Sequence, residues 1–118
     1  MFSGAHVILY SKDAAADRAF LRDVLEFPHV DAGEGWLIFA LPPAEVAFHP
    51  HGDNDLRELY LLCDDLEAAL ARLGKKGVTC APPQEAPWGT FTSLTLPGGG
   101  EVGLYQPKHP MALGKARG

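Results

Sequence analysis

The sequence predicts an α+β protein made of two βαβββ modules. Three observations lead there. Short runs of alternating apolar residues read as strands, two helical stripes each follow an aspartate, and the whole pattern restarts near the middle of the chain.

The first module is expected over residues 4–50. It opens with Ala5-His6-Val7-Ile8-Leu9-Tyr10, a β-branched and aromatic run that suits a strand. Asp13 then stands where a helix N-cap belongs, ahead of a helix predicted over 14–26. Within it Phe20, Leu21, Val24 and Leu25 recur at helical spacing, while Asp17, Arg18, Arg22 and Asp23 stay polar. Pro28 stops the helix. Strands are predicted over 29–32, 36–41 and 45–49, separated by Gly33-Glu34-Gly35 and Pro42-Pro43 turns.

Residues 51–56 are polar and turn-prone and serve as a linker. The second module is expected over 57–107, starting with a strand over 58–63. Asp64-Asp65 caps a helix whose apolar stripe is Leu66, Ala69, Leu70 and Leu73. Glu67, three residues after Asp64, suggests a capping box, and Gly77 a C-terminal stop. Strands follow over 78–81, 90–96 and 101–106, with turns at Pro82-Pro83 and Pro97-Gly98-Gly99-Gly100. The module ends echo each other, Glu45-Val46-Ala47-Phe48-His49-Pro50 against Glu101-Val102-Gly103-Leu104-Tyr105-Gln106-Pro107. Residues 108–118 form a tail, expected to be loose from Met111 onward.

Composition narrows the function classes. A chain of 118 residues, 47% hydrophobic and 21% charged, is sized for one globular domain. A formal charge of −5 argues against nucleic-acid binding, which calls for a basic patch. The chain has no apolar run long enough to cross a membrane, and its first residues lack the basic-then-apolar pattern of a secretory signal. Cys63 and Cys80 lie in apolar segments and read as small buried hydrophobes, not as a disulfide framework or zinc knuckle. A cytoplasmic location is expected.

Strand alternation sorts the side chains by face. Val7, Leu9, Val46 and Phe48 should lie under the first helix, and Leu59, Leu61, Cys63, Val102 and Leu104 under the second. The opposite face then collects His6, Glu45, His49, Glu58 and Glu101, with Tyr10, Tyr60 and Tyr105 beside them. A polar residue opens each of the outer strands at equivalent places in the two halves. A merely solvated face explains scattered charges but not that placement, and the tyrosines suit a pocket wall.

With these residues in view, the sequence resembles the vicinal oxygen chelate superfamily, which includes glyoxalase I, bleomycin- and fosfomycin-resistance proteins and extradiol dioxygenases. The likeness runs over about residues 4–108. It is carried by His6-Val7-Ile8-Leu9-Tyr10, by Leu61-Leu62-Cys63-Asp64-Asp65-Leu66, and by Leu96-Pro97-Gly98-Gly99-Gly100-Glu101-Val102. The resemblance implies the glyoxalase/bleomycin-resistance/dioxygenase fold, whose mixed sheets curl around a cavity, and a homodimer. It also implies a divalent metal site at the first and last strands of each module. Those positions here are His6, Glu45, Glu58 and Glu101.

One imidazole and three carboxylates would suit Fe, Mn, Ni, Co or Zn without choosing among them. Three carboxylates converging with no cation would raise one another's pKa values. The set departs from the two-His, one-Glu triad of the family's dioxygenases, because Glu58 stands at the second first-strand site. His49, on the Glu45 face, is a less favoured replacement. Two functions stay open. One is a metal-dependent lyase, isomerase or dioxygenase acting on a small oxygen-bearing substrate, with Glu101 or Glu45 as base. The other is a metal-free protein that sequesters an aromatic or cationic compound, like bleomycin-resistance proteins.

The pocket is expected to include Tyr10, His49, Tyr60, Tyr105, Trp36 and Trp88. Each tryptophan precedes a strand, as a core or pocket-lip residue. His49 and His51, flanking Pro50, read better as a solvated linker than as ligands. Gly98-Gly99-Gly100 is not followed by a helix, so it is a hairpin turn and not a phosphate cradle.

Overall fold

The structure, a computed structural model, describes residues 6–52 and 54–113. The expected start of the first module at Gly4 and Ala5, linker residue Asp53, and the last five residues of the tail lie outside the described residues. The first half contributes helix α1 (Ala14–Asp23) and strands β1 (His29–Asp31) and β2 (Leu37–Phe39). The second contributes β3 (Tyr60–Leu62), α2 (Leu66–Lys75), β4 (Gln84–Ala86), β5 (Gly89–Thr95) and β6 (Glu101–Pro107).

Both helices start as their caps dictate. The Asp13 and Asp65 carboxylates accept from the backbone N–H of Ala16 and Ala68, each satisfying one of the free donors of a first turn. Because Asp65 and not Asp64 is the N-cap, Glu67 sits one place too early to close the expected capping box. α1 ends at Asp23, short of the expected Glu26, whose backbone has turned to a positive φ of 59°. Gly77, at φ 81°, stops α2 where glycine alone is unstrained.

The second half is a complete βαβββ unit. Its four-stranded sheet runs β3-β6-β5-β4, with β3 parallel to β6 and the other pairs antiparallel. The hairpin from β5 to β6 is closed by the Leu96 N–H donating to Gly100 and the Gly99 N–H to Leu96. Gly89 is buried against the end of β6, and a Cβ there would meet the Gln106 carbonyl at 2.6 Å. The strand expected over 78–81 is replaced by a segment that follows β5, with Ala81 donating to Ser93, and the regular strand forms later as β4.

The core lies between this sheet and α2. Leu66, Leu94, Leu96, Val102 and Leu104 are buried, with Leu59, Leu61, Cys63 and Cys80 packed against them as alternation requires. Burial pushes both thiols up, away from the reactive thiolate form. Phe20 and Leu21 of α1 join from the first half. The link between halves is tightened where the Gly98 N–H donates to Asp17 of α1 at 2.8 Å.

The first half departs from its expected pattern. β1 and β2 form a separate two-stranded antiparallel sheet, and β2 is shorter than 36–41. Residues 6–10 and 45–49 are in no strand. Val7, Leu9, Val46 and Phe48, which alternation had sent under α1, are exposed, as are Ile8 and Tyr10 of the opposite face. Among the described residues no helix is long and apolar enough to cross a membrane.

Candidate small-molecule site

The face of the four-stranded sheet turned away from α2 carries a groove of about 400 Å³. Register builds it. Tyr60 pairs with Gly103, and Gly103 with Ser93, so these three positions cross the sheet in one row. The neighbouring row holds Leu62, Tyr105 and Phe91, and Glu101 stands opposite Thr95 at the start of β6. Glu58 and Glu101 both line the groove, as do Tyr60 and Phe91. All its walls come from the second half.

Aromatic contacts organise one side. The Trp88 ring stacks on Phe91 at 4.7 Å and meets Tyr105 edge-on at 5.3 Å. Tyr105 in turn meets Tyr60 at 5.5 Å, nearly perpendicular, a favoured arrangement for ring quadrupoles. Tyr60 donates its hydroxyl to Glu58 at 3.1 Å. Burial, and then that hydrogen bond, holds the Tyr60 phenol above its ordinary value. Burial and then the charge of Glu45 do the same at Tyr105, whose hydroxyl lies 3.1 Å from His109 Nε2.

The expected site residues therefore divide. Glu58, Glu101 and Tyr60 share the groove, and Tyr105 and Trp88 support its aromatic side. Glu45 is half-buried elsewhere, its Oε2 accepting from the N–H groups of Ala112 and Leu113 at 2.8 and 3.2 Å. This contact holds the start of the tail that was expected to be loose. His6, Tyr10 and His49 are exposed and outside the groove lining, and His49 Nδ1 pairs with the Pro50 carbonyl. Trp36, also exposed, is covered by the Arg18 guanidinium at 4.5 Å in a cation–π contact.

A resident metal can be tested against the donor set itself. Among the described residues no three histidine, cysteine or carboxylate side chains come together as a metal ion would require. Within one chain, His6, Glu45, Glu58 and Glu101 do not fit such an ion. The physical reason is that 6–10 and 45–49 are not laddered to the sheet, so no strand register carries His6 and Glu45 to the other two. Sequence reasoning missed Phe91, Ser93 and the Gly103 floor. Alternation along the strand expected over 90–96 would have placed Phe91 and Ser93 on the Tyr105 face.

No family model matches the chain, and no curated protein does. Solved structures do. TnmS3, an antibiotic binding protein from Streptomyces sp. CB03234, is 29% identical with a TM-score of 0.64, over 92% of this chain and 100% of that one. A glyoxalase/bleomycin resistance protein from the same Streptomyces is also 29% identical, with a TM-score of 0.59 over 83% of this chain and 95% of that one. The chain has the vicinal oxygen chelate fold. Lactoylglutathione lyase from Agrobacterium tumefaciens, at 19% identity, shares that fold with a TM-score of 0.60 over 88% of this chain and 93% of that one. In this vicinal oxygen chelate fold the second module is fully paired and the first is left open at both ends.

Proposed function

We propose that this protein binds and sequesters a flat, aromatic, cationic small molecule in the groove beneath α2's sheet, without transforming it. The observation that carries the reading is one groove holding two exposed carboxylates, Glu58 and Glu101, beside the Tyr60 and Phe91 rings. Ring faces attract a cation and bury a flat apolar body, while the carboxylates add charge complementarity. The likeness to an antibiotic binding protein supports the same reading. Two free thiols favour a reducing, cytoplasmic setting.

The proposal includes a homodimer. Residues 6–10 and 45–49 expose β-branched and aromatic side chains on unladdered backbone, which strand pairing with a second copy would cover. Such pairing would give His6 and Glu45 of one copy a route toward Glu58 and Glu101 of the other. The metal-dependent lyase, isomerase or dioxygenase reading rests on that route.

The test is a fluorescence titration with proflavine, a flat cationic dye, against anilinonaphthalene sulfonate, an anionic one. Proflavine should bind better, and the double change Glu58→Gln with Glu101→Gln should weaken it on the order of tenfold. Equal binding of both dyes, or no effect of the double change, overturns the reading. Elemental analysis supplies the other arm. Stoichiometric iron, manganese, nickel, cobalt or zinc that is lost in Glu101→Ala would replace sequestration with the metal enzyme.

A further inference from the structure

The geometry points to Tyr60 as a displaceable cover over the Gly103–Ser93 floor of the groove, the floor being the subsite for the ligand's flat ring. The inference rests on the sequestration reading and assigns a place within that site.

Three observations support it. First, the Tyr60 ring does not stand away from the sheet but lies across its parallel neighbour. A Cβ at position 103 would overlap the Tyr60 ring carbons Cγ, Cδ1 and Cε1, so only glycine allows the ring to rest there. Second, position 103 is where the groove is shallowest in side chain. Gly103 has none, and its antiparallel partner Ser93 has a small one. Together they leave bare backbone of the kind on which a flat ring can lie. Third, the cover is held lightly. Tyr60 remains 39% exposed, its hydroxyl is tied to exposed Glu58 by one hydrogen bond, and its other tie is an edge contact with Tyr105.

A side chain so placed changes rotamer without disturbing the core, since the buried leucines lie on the opposite face of the sheet. A flat ligand lifts the ring from Gly103, takes its place against the backbone, and is then stacked from outside by the ring it displaced. Glu58 has two duties in this arrangement. It latches the empty groove through the Tyr60 hydroxyl, and once released it faces the ligand's positive charge. A bulky, non-planar cation gains nothing from the bare floor, so the subsite selects for flatness.

The test uses the intact protein, proflavine as the probe, and three variants. Tyr60→Phe keeps the ring and cuts the latch, and should speed proflavine association by about threefold to tenfold, the factor that one lost hydrogen bond supplies. Gly103→Ala fills the floor and evicts the ring, and should weaken proflavine by a similar factor while leaving the Glu101 dependence intact. Tyr60→Ala opens the floor but removes the stacking cover, and should speed both association and dissociation. A fluorine-labelled tyrosine at position 60 should show two exchanging environments in the free protein and one in Gly103→Ala.

Proflavine binding that depends on Glu101 but is indifferent to Tyr60→Phe overturns the cover and leaves sequestration standing. Failure of proflavine to bind the parent protein overturns sequestration. In that event a single rigid fluorine environment in the free protein overturns the cover as well, independently of any dye.

Discussion

Residues 45–49 and β6 begin with the same Glu-Val pair and alternate in the same way, yet they end up in opposite settings. Val102 and Leu104 are 3% exposed in the interior of a four-stranded sheet, while Val46 and Phe48 are 82% and 94% exposed outside any strand. The connection before each segment accounts for much of the difference. β5 reaches β6 through a glycine-rich hairpin that keeps the two strands adjacent and in register. β2 is followed by Pro42-Pro43, which offer no backbone donor and fix two φ angles, and no glycine stands in that connection to help close a hairpin. Residues 6–10 would need 45–49 as their parallel neighbour, and lose their ladder in turn. The comparison shows that a strand pattern is a request for a partner and that the partner decides whether it is met.

Truncating one apolar residue in each half should give the largest contrast in stability. Leu94→Ala, at a side chain only 1% exposed, should cost about 3 kcal/mol in urea unfolding. Ile8→Ala should change stability by less than about 0.5 kcal/mol at dilutions where the chain is monomeric. A comparable loss at both sites would show that the first half is packed after all. If Ile8→Ala becomes costly only as protein concentration rises, the missing partner of 6–10 is a second copy.

A smaller effect should come from the joint between the halves. Gly98→Ala would drive a methyl group into Ser11 and to within 2.9 Å of Asp17, breaking the approach that lets the Gly98 N–H reach that carboxylate. We expect a loss of about 2 kcal/mol together with faster amide exchange in α1. Unchanged exchange in α1 would mean that the joint carries no load.

The smallest effect belongs to the caps. Asp65→Ala and Asp13→Ala each remove one carboxylate-to-backbone bond, worth about 1 kcal/mol. Since α2 packs on the buried leucines, the first should lower the global unfolding midpoint. α1 contributes no buried residue, so the second should appear chiefly as fraying of α1 in hydrogen exchange. Equal shifts in the global midpoint would contradict the unequal weights assigned to the halves.

Much of this was legible in the residues. Asp13 and Asp65 announced their helices, Gly77 its stop, and alternation correctly sent Leu59, Leu61, Val102 and Leu104 to one face and Tyr60, Glu101 and Tyr105 to the other. These features are local, or depend on neighbours a short hairpin away. The pairing of 6–10 and 45–49 was not legible, because alternation assigns a face without naming the strand alongside. The role of Gly103 was hidden for a similar reason. Its meaning depends on the ring that crosses it from β3, more than forty residues earlier in the chain.

The grip of Glu45 on the Ala112 and Leu113 amides has a consequence for any ion that visits the protein. A carboxylate already accepting from two backbone donors is solvated by its own chain. A cation seeking Oε2 would have to displace both amides, and the backbone at 112 and 113 therefore acts as a resident rival for that oxygen.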